Sequence, residues 1–456
     1  MSDPMVAHPL SIGVLVDLEW GVRAGGHVKC WERFAEAASQ FPETLELTVY
    51  FLGDRESVVE LTPQVRYHII PPRWGTKRFP WLKQGGGDTD LAGYNRRLVP
   101  LLKRHQILHA TGIFTFAQTA RQVAKRFSIP LVSSIHTDLP KFTQVYSREI
   151  ISRFIGEGWL YWVFFHQLRI DEWLAAWMGY RLSRFLADCR WVLISKPEDR
   201  QFVLNVIPPD RISQLRRGVD KDRFHPRWRD RLRLESTFGI DPSLPVALFV
   251  GRVDDSKKVM TMALAVRKLL DQGYSLHGFI IGEGAAKSQI QSLLGHHVTL
   301  TGQIPQSELP WLYASSDLFV FPSESEVSPN VVIEAKASGL PVFISSRDGG
   351  AQFIQFSSLD GVLVDDPDPM AWAEAIAPYL APPLDKGMET SVDDQELQTT
   401  DAILRRHSMG TAARHTIDHV PDWSDVLTMD LLPVWEHVWA EHQSTHQHHN
   451  KPEKLA

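Results

Sequence analysis

Short apolar runs alternate with stretches that are apolar at helical spacing along most of this chain. Ser11 to Val16 reads as a strand, and Val28, Trp31, Ala35 and Ala38 lie on one face of a following helix. Leu45 to Leu52, Ile107 to Ala110, Pro130 to Ile135 and Trp191 to Ser195 read as further buried strands, with a helix over Thr115 to Arg126. The pattern restarts at Pro245. Val246 to Val250 reads as a strand and Met260 to Asp271 as a helix. Leu276 to Ile281, Val298 to Leu300, Leu318 to Phe321 and Val342 to Ser345 follow as apolar runs with helices between them. Strands alternating with helices imply parallel sheets in doubly wound α/β domains. Such sheets place ligands at the carboxyl ends of their strands, and two such domains place a ligand in the cleft between them.

Length supports two or three domains, since 456 residues exceed what one hydrophobic core sustains. The chain is 43% hydrophobic and 22% charged, ordinary for a globular protein. A net charge of −6 gives no general pull toward nucleic acid. Cys30 and Cys189 are the only cysteines and offer neither a metal-ligand spacing nor a disulfide framework, which fits a reducing, cytoplasmic setting. Met1 to Pro9 is too short and mixed for a signal peptide. The most aromatic stretch, Trp159 to Tyr180, is broken by His166, Arg169, Asp171 and Glu172 and does not read as a membrane span. Association with a membrane surface stays open.

The segment Phe321 to Val342 carries the sharpest chemistry. Glu326 and Glu334 are separated by 7 residues across a loop-to-helix junction. Ser328 is placed as an N-cap, Pro329 suits the first helical position, and Gly339 followed by Pro341 ends the helix, predicting a helix from Pro329 to Ser338. A helix N-terminus attracts anions, and carboxylates accept hydrogen bonds from vicinal hydroxyls. Two carboxylates beside an anion site suit a ligand with both sugar hydroxyls and phosphates. A capped helix carrying surface acids is the alternative reading of the same residues. The segment resembles the retaining glycosyltransferases of family 4, whose fold is called GT-B. Their Glu-x7-Glu signature falls on Glu326 and Glu334, and Ala335-Lys-Ala-Ser-Gly-Leu-Pro-Val342 matches the run that follows. The family usually has Gly-Phe-Gly after the first glutamate. Val327-Ser328-Pro329 stands there instead, and Pro329 has no N–H to give.

The resemblance continues in order from Pro245 to Asp366. Gly251-Arg-Val-Asp-Asp-Ser-Lys257 follows a strand and matches the family's Gly-Arg-x4-Lys, with Lys258 where a glycine is usual. Arg252 can grip phosphate oxygens in a fork, and Lys257 adds a point charge. Ile281-Gly-Glu-Gly284 is similar to the family's Gly-x-Gly turn. The resemblance implies two facing Rossmann-like domains and a nucleotide-sugar donor held at Gly25, Gly26, Arg252, Lys257, Gly282, Glu326, Ser328, Asn330, Val331 and Glu334. It implies that Glu334 binds ribose, that Glu326 binds sugar hydroxyls near carbon 3 or 4, and that His136 lies near the donor sugar. His136, Arg252, Lys257 and Glu326 are thus the expected catalytic group. Asp366-Pro-Asp368 is formally an Asp-x-Asp but reads as a turn. No metal and no other cofactor is expected.

The segment Arg217 to Pro226 is similar to the family's interdomain linker. The expected organisation is an acceptor-binding domain over 1–220, a nucleotide-sugar domain over 221–420, a helix over 421–442 that crosses back to the first domain, and a disordered tail over 443–456. Pro382 to Thr400 reads as a loop or insertion. Ser134 to Tyr146 is similar to a segment of glycolipid-forming members, which places Thr137, Asp138, Lys141 and Tyr146 on the acceptor side. Arg73, Lys77, Arg78 and Lys83 interleave with Trp74, Phe79 and Trp81, which suits an anionic membrane face. With Trp159, Trp162, Phe164, Phe165, Trp173 and Trp177, these residues form either a peripheral membrane surface or ordinary core. The expected partners are a nucleotide sugar (a UDP- or GDP-sugar) and a lipid or saccharide acceptor. A sugar-nucleotide epimerase on the same fold is the rival reading.

Overall fold

The computed structural model describes residues 9–21, 24–78, 89–136, 139, 143–144, 147–148, 151–152, 156, 158–196, 199–324, 326, 328–347, 349–383 and 392–449. The chain divides into two compact units. One comprises Met1–Arg216 with Trp423–Ala456, the other Arg217–Asp422.

In the first unit eight described strands form one sheet. They are β1 (Leu10–Glu19), β2 (Leu45–Leu52), β3 (Ser57–Glu60), β4 (Val65–Ile70), β5 (Ile107–Ala110), β6 (Leu131–Ile135), β7 (Trp191–Ile194) and β8 (Ile212–Gln214), in the spatial order β3-β4-β2-β1-β5-β6-β7-β8. Every neighbouring pair is parallel except β3 with β4. Strand order reverses between β1 and β5, which makes their carboxyl ends the switch point of this sheet. One core cluster packs helix Gly26–Ala38, through Trp31 and Phe34, with Leu427, Leu431 and Trp435 of the last helical segment. A separate cluster gathers Phe116 and Ala120 of helix Thr115–Phe127 with Leu182 and Phe185 of helix Ile170–Leu186.

In the second unit six described strands, all parallel, follow the order β11-β10-β9-β12-β13-β14. These are β9 (Val246–Val250), β10 (His277–Ile281), β11 (Val298–Gly302), β12 (Leu318–Phe321), β13 (Val342–Ser345) and β14 (Val362–Val364). Every residue of β9, β10, β12 and β13 is buried, as expected of strands covered by helices on both faces. The switch point lies between β9 and β12. Gly282, just past β10, has φ +146, and a Cβ there would sit 1.8 Å from the Gly251 carbonyl oxygen. Only glycine lets these two strand ends approach so closely.

Three expectations need correction. Residues 392–400 are not loop, since a helix runs over Val392–Ile417. Residues 396–400 are exposed on this helix, and the stretch lacks the apolar stripe that a sequence reading looks for. The last helix, Leu432–His449, continues past residue 442. Near its end the hydroxyls of Ser444 and Thr445 donate to the Glu441 carbonyl. Ser328 is not the N-cap of its helix. The helix is Asn330–Ala337, and its N-cap is Pro329 with ψ 114, an extended value that keeps Pro329 outside the helix. The other end follows the sequence reading. Gly339 takes φ +76, its N–H donates to the Lys336 carbonyl at 2.9 Å, and the Leu340 N–H reaches the Ala335 carbonyl at 3.0 Å.

Candidate functional site

The second unit gathers most of the chemically interesting side chains at the carboxyl ends of its strands. Arg252 and Lys257 follow β9, Gly282 follows β10, and Glu326 follows β12. β9 and β12 are sheet neighbours across the switch point, so their loops lie side by side. Lys257 and Glu326 meet there as an ion pair. Arg252 donates to Ser256 Oγ at 2.8 Å and lies 3.4 Å from Asp254, which sets the guanidinium over the turn leading to Lys257. A second pair, Lys258 with Glu324 at 2.5 Å, runs beside the first. Two cations of the loop after β9 thus pair with two acids of the loop after β12.

Lys258 explains a departure from the resembled motif. Its φ is +49, in the left-handed region, where it caps helix Val259–Asp271. Glycine adopts this conformation without a steric cost, whereas a side chain costs roughly 1–2 kcal/mol. The position demands a left-handed residue whichever side chain stands there.

Glu334 is held differently. The hydroxyl of Tyr313, from helix Leu309–Ala314, donates to Glu334 Oε2 at 3.2 Å. Burial and the neighbouring carboxylate push the Tyr313 phenol well above its usual range, so it stays a donor at every working pH. Tyr313 is a partner of Glu334 that the sequence pattern does not disclose, because the two lie on different helices. On the helix that carries Glu334, Asn330 occupies the first turn, and its Oδ1 is buried with no hydrogen-bond partner among the described residues. Ser328 is buried just before the helix, and Val331 packs against the domain core. Asp366 and Asp368 form a turn and cap. Asp366 Oδ1 accepts from the Asp368 N–H at 2.8 Å, and Asp368 Oδ1 accepts from the Met370 N–H at 3.1 Å.

Gly25, Gly26 and His136 belong to the first unit. Gly25 is the N-cap of helix Gly26–Ala38 with φ −71, and a Cβ at either glycine would meet no atom within 4 Å. The fold itself therefore makes no demand for glycine at these two positions, and both are exposed. His136 follows β6 and is buried. Its Nε2 lies 2.7 Å from Ser134 Oγ, and the ring of His27 stacks on it with centroids 4.4 Å apart. Thr137, Asp138, Lys141 and Tyr146, expected on the acceptor side, lie outside the described residues, as does Val327.

The aromatic residues divide. Phe165 is core. Trp159, Trp162, Trp173 and Trp177 are exposed, Trp159 by 74% and Trp173 by 64%. On helix Ile170–Leu186, Trp173, Trp177, Tyr180 and Arg184 fall at successive i, i+4, i+7 and i+11 positions and form one exposed stripe. Among the basic residues near Trp74, Lys77 pairs with Glu19 and Asp54, and Arg73 donates to the Tyr94 carbonyl. Phe79, Trp81 and Lys83 lie outside the described residues. No helix among the described residues is long and apolar enough to cross a membrane.

Residues 230–390 match the family Glycosyl transferases group 1. The chain is 29% identical over 250 residues to the sulfoquinovosyl transferase SQD2 of Arabidopsis thaliana, an alignment spanning 54% of this chain and 43% of that protein. It is 27% identical over 304 residues to a D-inositol 3-phosphate glycosyltransferase of Segniliparus rotundus, spanning 61% of this chain and 59% of the relative. It is 29% identical to a GDP-mannose-dependent alpha-mannosyltransferase of Mycolicibacterium smegmatis, spanning 66% and 70%. The chain thus spans about half the length of the first two of these curated relatives. Among solved structures, sucrose-phosphate synthase from Thermosynechococcus elongatus superposes with a TM-score of 0.62 at 17% identity, covering 96% of this chain and 98% of that one. Anabaena HepE in complex with UDP and glucose gives 0.60 at 14% identity, covering 96% and 100%. Residues 230–390 thus match the group 1 glycosyltransferases, and the two doubly wound sheets give the chain the GT-B fold.

Proposed function

We propose that this protein is a retaining glycosyltransferase that moves a sugar from a UDP- or GDP-sugar to an acceptor hydroxyl. The observation that carries this reading is the Lys257–Glu326 pair at the switch point of the second sheet, with Arg252 beside it. A departing nucleoside diphosphate gains negative charge as the glycosidic bond breaks, and Arg252 and Lys257 supply fixed positive charge to meet it. No metal is required by this chemistry. Glu326, while paired with Lys257, accepts hydrogen bonds from donor-sugar hydroxyls. Glu334, backed by Tyr313, accepts the ribose hydroxyls. Gly25 and Gly26, exposed at the start of a helix, are assigned in this scheme to the diphosphate, and His136 to the sugar. The acceptor hydroxyl attacks from the face that the leaving group vacates. Among the described residues none offers itself as a covalent nucleophile, so a double displacement is not part of the scheme.

Calorimetric titration with UDP and GDP tests the donor site, and a folded protein that binds neither nucleotide would refute the proposal. Glu334→Gln is expected to weaken nucleotide binding roughly five- to tenfold, because a neutral amide accepts hydroxyls less strongly than a carboxylate. Affinity unchanged in that variant would move the ribose elsewhere. Labelled nucleotide sugar incubated with a cell extract separates transferase from epimerase. Label moved to an acceptor supports transfer, and an altered nucleotide sugar without acceptor supports epimerisation.

The acceptor, in this proposal, is lipid-linked. The exposed stripe Trp173, Trp177, Tyr180 and Arg184, with Trp159 and Trp162 nearby in sequence, favours this over a soluble saccharide. Amphipathic rings with a cation alongside suit the headgroup layer, and monomeric proteins rarely expose so many large aromatics together. Arg181 lies 4.8 Å from the Trp177 ring centroid, adding a second cation to the stripe. The protein is expected to float with vesicles containing anionic lipid, and Trp173→Ser/Trp177→Ser to remain in the soluble fraction. If the parent protein fails to float with either neutral or anionic vesicles, the lipid acceptor falls.

A further inference from the structure

Four side chains inside the first unit form one unbroken hydrogen-bonded line. Trp435 Nε1 donates to His109 Nδ1 at 3.0 Å. His109 Nε2 lies 2.9 Å from Ser134 Oγ, and Ser134 Oγ lies 2.7 Å from His136 Nε2. Trp435 comes from the last helix, 326 positions from His109. Rings close the line in: Trp31 meets the His109 ring edge-on at 5.0 Å and the His136 ring at 6.0 Å, while His27 stacks on His136.

The direction of every bond follows from one end. An indole nitrogen can only donate. His109 Nδ1 must therefore be without a proton, and a neutral imidazole then carries its proton on Nε2. Burial agrees, since it pushes His109 down to about 3. His109 Nε2–H donates to Ser134 Oγ. Among the described residues Ser134 Oγ has no partner but these two rings, so its single hydroxyl proton points at His136 Nε2, which accepts it. His136 is then a neutral ring with its proton on Nδ1, so any hydrogen bond made by Nδ1, to protein or to a bound sugar, is one in which it donates.

We propose that Trp435, His109 and Ser134 are positioning residues that hold His136 as the neutral Nδ1–H tautomer and fix the direction of its ring. The proposal rests on the reading of His136 as a sugar contact. Its chemical use is specific to that role. A bond that breaks toward a departing diphosphate leaves positive charge at the sugar carbon. An imidazolium beside that carbon would oppose the charge, whereas a neutral ring that donates one hydrogen bond does not. The last helix thereby becomes part of the catalytic arrangement of the first unit, beyond its packing on Trp31 and Phe34.

Ring-nitrogen NMR of the full chain with 15N-labelled histidine reads the tautomers directly, with His136→Gln and His109→Gln identifying the signals. The parent is expected to show His136 protonated at Nδ1 and bare at Nε2, and His109 the reverse. Ser134→Ala should mix the His136 tautomers and lower kcat roughly tenfold, about the loss of one hydrogen bond, with the donor KM nearly unchanged. Trp435→Phe keeps an aromatic ring and should release His109 in the same way. Ser134→Thr keeps the hydroxyl and should restore both tautomer and rate. A His136 ring protonated at Nε2 in the parent, or an unchanged tautomer in Ser134→Ala, overturns the relay. A parent-like rate in His136→Ala would overturn the underlying assignment of His136 to the sugar, and the two failures are separable because the tautomer is read without turnover.

Discussion

Replacing Lys257 with Ala is expected to slow sugar transfer by about 10²- to 10³-fold, the scale of removing one preorganised donor from a developing anion. The side chain is only 12% exposed and already faces Glu326, so its position is fixed before any ligand arrives. Preorganised charge is worth more than charge recruited from solvent, because no reorganisation is needed as the leaving group forms. The variant also leaves Glu326 beside the incoming diphosphate without its cation, which adds repulsion to the loss. Lys257→Arg keeps the charge and should recover part of the rate. Glu326→Gln should lower turnover more than nucleotide affinity, because it addresses the sugar and not the diphosphate. Single-turnover transfer measured beside calorimetric nucleotide affinity separates these effects. A Lys257→Ala protein that transfers at the parent rate would mean the diphosphate lies elsewhere.

The buried strands of both sheets were legible because each is a short apolar run bounded by turn residues, and β2, β5, β9, β12 and β13 begin and end where the pattern places them. β3 and β4 were not. In β4, Arg66 and His68 interrupt the apolar run, since the strand alternates between core and a more open face near the sheet edge, and β3 carries an exposed Val58. β8, at the other edge, has three residues and no periodicity to read. Helix 392–417 was hidden by its polarity.

Motif spacing could single out Arg252, Lys257, Glu326 and Glu334, but not whom they meet. Glu326 and Lys257 lie far apart in sequence and are joined by the β9–β12 pairing, which only strand order reveals. Tyr313 and Trp435 carry no local signal at all, because their partners belong to other elements. Ser134 offers a weaker clue. It stands two residues before His136 at the end of a strand, and a period of two puts both side chains on one face. The same logic explains Lys258: a motif position usually held by glycine records a left-handed backbone, and the fold keeps that backbone when the glycine is gone.

Lys336→Met is expected to destabilise the second unit by about 3–5 kcal/mol, the cost of leaving a buried charge without its partner. Lys336 sits two residues after Glu334, on the side of the helix that faces the core. Its ammonium lies 2.7 Å from Asp360 Oδ2 and also donates to the Phe353 carbonyl, and neither charged side chain reaches solvent. Asp360 accepts in addition from the Gln355 and Phe356 N–H groups at 3.0 and 2.8 Å. The pair therefore pins the helix that carries Glu334 to the loop after β13. Burial alone would raise the Asp360 carboxyl, but the hydrogen bond from Lys336 and the two backbone donors outweigh it and hold the group below its usual 3.8. A carboxyl lowered in the folded state contributes stability that is present above its unfolded pKa and is lost as pH falls through the folded one. Without Lys336 its lowering contribution is lost while burial remains, so the carboxyl is expected to rise. The deficit of Lys336→Met should then be largest near neutral pH and narrow as acid protonates Asp360. Lys336→Met/Asp360→Asn removes the stranded anion and should be more stable than Lys336→Met alone at pH 7, a non-additivity typical of paired groups. Urea unfolding of the parent, both single variants and the double variant at pH 7 and pH 5 measures all of this. Additive losses, or a deficit that does not narrow in acid, would mean that the helix is anchored by its apolar contacts and not by this pair.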